Sequence, residues 1–214
     1  MAYAQLPAID LAAGPPPRGL VGPNAVTQLQ CVLDTRFTPT TTRDVFASAG
    51  FARLVDNPPE DMIDAAVPAA LFNALWQRFP SMAPEIAWQA GLRTGRYILA
   101  SRIPAPVRWL LKALPASAAS PLLLGAIQRH AWTFAGEGTC EIRTARAGKP
   151  AEISIRNNPL AMPECAWHRG VFTALLRSLV CPGARIEHTD CEHEGAPACR
   201  FLVHLSRFEP GAAA

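Results

Sequence analysis

Up to about residue 135 apolar side chains recur every three or four positions. After Gly136 they alternate with polar ones. Pro23-Asn24 opens an amphipathic helix with Val26, Leu29, Val32 and Leu33 on one face. Thr38 to Thr42 reads as a turn whose last threonine caps a short helix carrying Val45 and Phe46. Asn57-Pro-Pro-Glu-Asp61 has the composition of a helix start and predicts a helix to about Phe79, kinked at Pro68, with Met62, Ala66, Leu71, Leu75 and Trp76 presented from it. A further helix over 83–101 puts Ile86, Ala90, Tyr97 and Ile98 on one side. Ala87, Gly91 and Gly95 form a smooth stripe along it, suited to a second helix or, as the sharper reading, a flat ligand. Two more helices are predicted over 107–114 and 121–133, on either side of Pro115.

The alternating part predicts strands over 139–144 and 152–156, joined by a hairpin at 147–150. A helix over 165–180 follows, with Phe172, Leu175, Leu176 and Leu179 on one face, and then a second hairpin from 184–191 and 198–207. Helices first and a helix-interrupted antiparallel sheet afterwards make an α+β class, with N-terminal helices packed on a small antiparallel sheet. The Ala/Pro/Gly-rich residues 1–22 are expected to be a flexible arm, 23–208 one domain and 209–214 a short tail.

Composition narrows the function. Half of the 214 residues are hydrophobic and 17% are charged, which suits a ligand cavity, an oligomer interface or contact with a greasy molecule. A net charge of +3 with no basic run or zinc-finger spacing gives no support for nucleic-acid binding. The N-terminus lacks the basic and apolar regions of a secretory signal, so a reducing, cytoplasmic setting is expected, and there clustered cysteines favour metal over disulfides. The apolar stretch 109–127 is interrupted by Lys112, Pro115 and Pro121 and does not read as a transmembrane helix. A peripheral membrane contact, which needs only one apolar face, stays open.

Cysteine chemistry concentrates at the end of the chain. Cys165, His188, Cys191 and Cys199 converge on a short helix–hairpin segment, and three thiols with one imidazole suit a closed tetrahedral zinc site of structural type. Glu187 and Asp190 are nearby substitutes for His188. On a regular strand His188 and Asp190 share a face, whereas Glu187 goes with Cys191. Three buried unliganded thiols, or a Cys191–Cys199 disulfide, are the alternatives. Redox cofactors fare worse. Gly136-Glu-Gly138 follows a helix and precedes a strand, the reverse of a dinucleotide-binding turn, so no NAD or flavin motif is present.

Three stretches, Gly95-Arg-Tyr-Ile-Leu-Ala-Ser-Arg-Ile-Pro104, His130-Ala-Trp-Thr-Phe-Ala-Gly136 and the Cys191/Cys199/Phe201 ending, resemble the vinyl-4-reductase domain family, in particular its bacteriochlorophyll-biosynthesis branch. The resemblance spans roughly residues 25–206. It implies an α+β fold shared with a vesicle-tethering subunit and with aromatic-sensing activators, a homodimer, and a hydrophobic small molecule held inside. In the zinc-bearing activators three Cys and an acidic residue hold the ion. These match Cys165, Cys191 and Cys199 by position, with His188 in place of the acid.

For this branch the implied ligand is a Mg-tetrapyrrole such as Mg-protoporphyrin or divinyl protochlorophyllide. Its flat apolar disc needs aromatic walls, an optional axial ligand and cationic contacts for its carboxylates. Candidates are Trp132 and Phe134 as walls, His130 as axial or hydrogen-bonding group, and Tyr97, Trp88 and Trp109 as further wall. Arg93, Arg96 and Arg102 could meet the carboxylates. Against these stand plainer roles: His130 as a helix-end histidine, Trp132 and Phe134 as core, Arg102 as a helix cap. Trp167 and His168 form a second candidate pocket. The leading expectation is a carrier or accessory protein of bacteriochlorophyll biosynthesis that meets enzymes such as the Mg-chelatase or the methyltransferase. The alternatives are an 8-vinyl (4-vinyl) reductase using an external electron donor, and a metal-stabilised scaffold subunit without a small ligand.

Overall fold

The computed structural model describes residues 19–146 and 148–205; residues 1–18 of the expected arm and the expected tail lie outside them. The chain runs through strand β1 (Leu20–Val21), helices α1 (Asn24–Arg36) and α2 (Pro39–Ser48), and strand β2 (Ile63–Asp64). Next come helices α3 (Ala66–Arg78), α4 (Ala83–Ser101), α5 (Ala105–Ala113), α6 (Ala116–Arg129) and the one-turn α7 (Trp132–Ala135). Strands β3 (Thr139–Arg143) and β4 (Ala151–Arg156), helix α8 (Ala166–Leu179), and strands β5 (Arg185–Asp190) and β6 (Cys199–His204) complete it. The α+β class expected from the pattern is the one observed, with the four larger strands in the antiparallel order β3-β4-β6-β5.

Helix α8 organises the molecule. Eleven of its fourteen residues are buried, on every side of the helix, as expected of an element with protein all round it. One side meets the sheet, where Phe172 lies edge-on to Phe201 of β6 at 5.3 Å between ring centres. The other side meets α4. A Cβ at Gly91 would strike the Trp167 carbonyl, one at Gly95 the Ala174 Cβ, and one at Gly170 the Trp88 carbonyl. The Ala87/Gly91/Gly95 stripe therefore receives a helix, the plainer of its two readings, and the flat ligand of the sharper reading has no room there. Outside α4, α1 packs with Val26, Leu29 and Leu33 fully buried.

Three departures from the expected elements have local causes. The helix expected from Asn57 begins at Ala66. Consecutive Pro58 and Pro59 disfavour helical backbone in the residues before them, so the chain runs extended into β2, and Asp64 Oδ1 accepts from the Ala66 N–H to start the helix. Pro68 then lies in the first turn, where it has no intrahelical donor to lose and causes no kink. Helix α2 is capped by Thr38, whose side chain accepts from the Thr41 N–H, while Thr42 is buried inside the helix. The last residues of the expected arm are ordered: β1 pairs antiparallel with β2, and the Gly22 N–H donates to the Thr133 carbonyl at 2.7 Å.

Candidate metal centre

Two loops at one end of the sheet bring the cysteines together. Residues 157–165 leave β4 for α8, and residues 191–198 join β5 to β6. The Glu192 carboxylate ties them, accepting from the Asn157 and Asn158 backbone N–H groups at 2.7 Å each. Asn158 reaches further in: its Oδ1 accepts from the Leu160 N–H, and its Nδ2 donates to the Cys199 sulfur at 3.3 Å. On the α8 side, Glu164 and Cys165 both take left-handed backbone, with φ of 59° and 40°. Two consecutive non-glycine residues in that region are held against their preference. This turn sets Cys165 at the start of α8, with its sulfur 3.5 Å from that of Cys191.

A bulge decides the fourth side. His188 is paired with Phe201, Asp190 with Arg200, and the register shifts between them. Directly opposed residues in an antiparallel pair share a face. The extra residue therefore turns Asp190 to the Arg200 side and sets Cys191 on the side of His188 and Cys199. The expectation that His188 and Asp190 share a face is corrected by this bulge. Glu187 points away as well and pairs with His204 at 2.7 Å. The ligand atoms of Cys165, His188 and Cys191 lie within 4.8 Å of one another. Cys199 stands beside this tight group of three, fully buried and interacting with both other thiols.

Electrostatics sets the three sulfurs apart. Hydrogen bonds to Cys191 and Cys199, then burial, push the Cys165 thiol far above the ordinary range. Cys191 is held far below it by hydrogen bonds from Cys165 and Cys199, assisted by His188 and the His193 backbone and opposed by burial. Cys199 is drawn down by Cys165, but Cys191 and burial outweigh this and raise it to about 11. The cluster thus concentrates anionic character on one sulfur wrapped by donors. All six cysteines are free thiols, so the Cys191–Cys199 disulfide is not formed.

The donor set fits a divalent ion of zinc type. Tetrahedral ligation with metal–sulfur bonds of about 2.3 Å spaces sulfurs about 3.8 Å apart, close to the Cys165–Cys191 separation. His188 Nε2 is buried with no hydrogen-bond partner, as a ligand nitrogen would be without its ion. With Cys199 as the fourth ligand such a site would have no open position and would clamp loops rather than activate a substrate.

Next to this cluster is a second buried group that the spacing of residues did not single out as strongly. His168 is 1% exposed, and neither ring nitrogen has a partner. It lies edge-on to Trp167 at 5.0 Å and to Phe134 at 5.9 Å, with Phe172 and Phe201 at 6.2 Å. Burial lowers its pKa to about 3, so the imidazole is neutral. The only sequence signal was its place three residues after Cys165 in the first turn of a helix.

The other candidates are spread over the helical part. Phe134 joins the His168 nest. His130 ends α6: its carbonyl accepts from the Thr133 N–H and hydroxyl, and its ring is half-buried, as is Trp132. The Arg102 guanidinium lies 5.8 Å from the centre of the Tyr97 ring. Arg93 and Arg96 are exposed, and Trp109 is 79% exposed on α5. Two surface grooves of about 520 and 430 Å³ are present. None of His130, Trp132, Phe134, Tyr97, Trp109 and the three arginines lines either; Trp88, Arg169 and Arg185 line the smaller.

The vinyl-4-reductase domain matches residues 152–205, the segment that carries the whole Cys/His cluster. The "Bacteriochlorophyll synthase 23 kDa chain" of Cereibacter sphaeroides is 38% identical over 197 residues, covering 89% of this chain and 93% of that protein. The protein of the same name from Rhodobacter capsulatus is 35% identical over 191 residues, covering 86% of each. Among solved structures, an Fe(II) unliganded H-NOX protein from K. algicida is similar with a TM-score of 0.62 at 9% identity, over 88% of this chain and 98% of that one. An H-NOX protein from S. oneidensis in the Fe(II)NO ligation state gives a TM-score of 0.54 at 10% identity, over 87% and 100%. At such identities the likeness is one of fold. Identity over nearly the whole length to the two 23 kDa chains, with the domain match, places this chain in the vinyl-4-reductase domain family, in the branch of the bacteriochlorophyll synthase 23 kDa chains.

Proposed function

We propose that this protein binds a Mg-tetrapyrrole precursor, of the Mg-protoporphyrin or divinyl protochlorophyllide type, and acts as a carrier or accessory protein in bacteriochlorophyll biosynthesis. The observation that carries the reading is the identity of more than a third, over nearly the full length, to two proteins named for bacteriochlorophyll synthase. The chemistry of the helical part supports it. His130, Trp132 and Phe134 sit together on α7 and the turn before it, and Tyr97 and Arg102 lie together near the end of α4. Arg93 and Arg96 are exposed on α4, free of neighbouring acids in sequence, and suit propionate carboxylates. In this reading His130 is the imidazole offered to the cargo, and Trp109, turned to solvent on α5, lies apart from it.

Zinc belongs to the other end of the protein. Held by Cys165, His188, Cys191 and Cys199, it would fix the two loops and the start of α8. The carrier works as a homodimer and hands its cargo to enzymes of the same pathway, with the Mg-chelatase and the methyltransferase as the expected partners.

Titration of the purified protein with Mg-protoporphyrin tests the reading. A shifted Soret band and co-elution of pigment with protein are expected at micromolar concentration. Absence of both overturns it. So does conversion of divinyl protochlorophyllide to a monovinyl product in the presence of a reductant, which would make the protein a reductase.

A further inference from the structure

Helix α5 is amphipathic in the wrong sense for a core helix. Its one buried apolar side chain is Leu111, whereas Trp109 is 79% exposed, Leu110 56% and Val107 43%. Leu122, on the neighbouring α6, is 52% exposed. Surface helices of a globular protein normally turn such residues inward, and a group of large exposed apolar side chains marks a contact surface.

The charge around it is equally one-sided. From Ile86 to Gly136 the chain has six Lys/Arg residues and no Asp or Glu. The remaining residues carry fourteen Lys/Arg against seventeen Asp/Glu, so the whole positive excess resides between Ile86 and Gly136. Arg93, Arg96, Lys112 and Arg129 of this segment are exposed. By helical angle, Lys112 lies beside Trp109, at the border of the apolar face formed by Pro106, Trp109, Leu110 and Ala113.

We propose that the outer face of α5, extended by the exposed part of α6, docks the protein on the anionic surface of a lipid bilayer. An apolar face that carries an indole, with the Lys112 cation at its border beside that indole, has the composition of a helix lying in the interfacial plane. Trp favours the headgroup level, and anionic lipid attracts the basic segment. A second copy of the chain is the poorer occupant: a two-fold contact through this face would set the acid-free, positive surface against itself. Insertion across the membrane is not involved. Helix α5 has nine residues, and among the described residues no helix is long and apolar enough to cross.

The presentation is rigid. Pro104 and Pro115 immediately flank the two ends of α5. Leu111 anchors its inner side, and the Arg108 guanidinium donates to the Leu99 and Ala100 carbonyls at the end of α4. The face is thereby offered as a preformed surface that inserts shallowly.

The test is flotation of the full chain with mixed phosphatidylcholine–phosphatidylglycerol vesicles and with pure phosphatidylcholine vesicles. The expected result is binding to the mixed vesicles with a blue shift of tryptophan emission. Binding should be weakened by salt and reduced about tenfold or more in a Trp109→Ser/Leu110→Ser double variant. A Lys112→Glu variant, which keeps the apolar face, should lose part of the preference for anionic vesicles. An unchanged melting temperature of each variant shows that the fold survives. Failure of the wild-type chain to float with anionic vesicles overturns the proposal, as does equal flotation of wild type and double variant. A dimer in sedimentation that the double variant dissolves, with neither form binding vesicles, overturns it in favour of a second copy. No tetrapyrrole is present in these experiments, so their outcome is separate from that of the Mg-protoporphyrin titration.

Discussion

The Cys/His cluster at the end of the sheet and the acid-free stretch from Ile86 to Gly136 both concentrate unusual residues, and they differ in access. The cluster is closed in: Cys165, Cys191 and Cys199 are at most 1% exposed, and His188, half-buried, has its Nε2 inside. The helical segment is open, with Arg93, Arg96, Arg129 and Trp109 in solvent. A sealed set of ligands can stabilise but cannot meet a substrate the size of a tetrapyrrole, whereas an open cationic and aromatic surface can. Under the proposed function, stability belongs to the C-terminal half and recognition to the helical half.

The junction between the halves is where this division can be disturbed most severely. Gly91→Ala puts a methyl group into the Trp167 backbone, which cannot yield as a side chain would. A loss of about 3 kcal/mol or more is expected in urea unfolding, and a cost below about 1 kcal/mol would show that α4 and α8 are less tightly joined than described. Next comes the cluster itself. Cys165→Ser, or removal of metal by a chelator, should cost about 2–3 kcal/mol and lower the melting temperature. Elemental analysis should fall from one zinc per chain to none. Protein isolated without metal, and indifferent to the chelator, would leave the cluster as bare thiols.

Acid acts through His168. Its folded pKa of about 3 lies below the ordinary histidine value of 6.5, so the folded state favours the neutral ring. Above pH 6.5 neither state is protonated and the group has no effect on stability. Below it the unfolded chain takes up a proton that the folded one refuses, and stability falls by about 1.4 kcal/mol per pH unit down to the folded pKa. Burial is the largest cause; Cys191 opposes it and His188 adds to it. A His168→Phe variant should show a shallower loss between pH 6.5 and 5 in thermal melts, and equal slopes would remove His168 as the cause.

Smaller effects follow at the loops. Glu192→Gln exchanges two charge-assisted bonds to the Asn157 and Asn158 backbone for at most a weaker contact, and should cost about 1–2 kcal/mol. Unfolding in urea reads this directly. Smallest is the α5 double variant Trp109→Ser/Leu110→Ser. With both side chains more than half exposed, its stability should change by no more than about 0.5 kcal/mol. A large loss would mean that this face is covered in the free protein.

Much of this division was legible in the order of residues. Period three-to-four followed by alternation gave helices and then a sheet, and the spacing of Cys165, His188, Cys191 and Cys199 brought out the cluster before any coordinates. The missing parts depend on contacts that no spacing encodes. The bulge after His188 reverses the face of Asp190, and only pairing with β6 reveals it. Glu192 matters because two loops distant in sequence meet at its carboxylate. The Gly91/Gly95 stripe favoured a helix but also admitted a flat ligand, and only α8 lying against it decides. His168 is a single imidazole in an apolar helix, and its significance lies in what surrounds it: four aromatic rings and no hydrogen-bond partner. The N-terminal residues read as an arm from their composition, but two of them are held as a strand by Ile63 and Asp64.

The assignment of stability to one half and recognition to the other is tested most directly by a single variant, Cys191→Ser, measured twice: its melting temperature, and its affinity for Mg-protoporphyrin at a temperature where it remains folded. A clearly lower melting temperature with an affinity within a few-fold of wild type is the expected result. An unchanged melting temperature together with lost binding would contradict the assignment and move the recognition chemistry into the cysteine cluster.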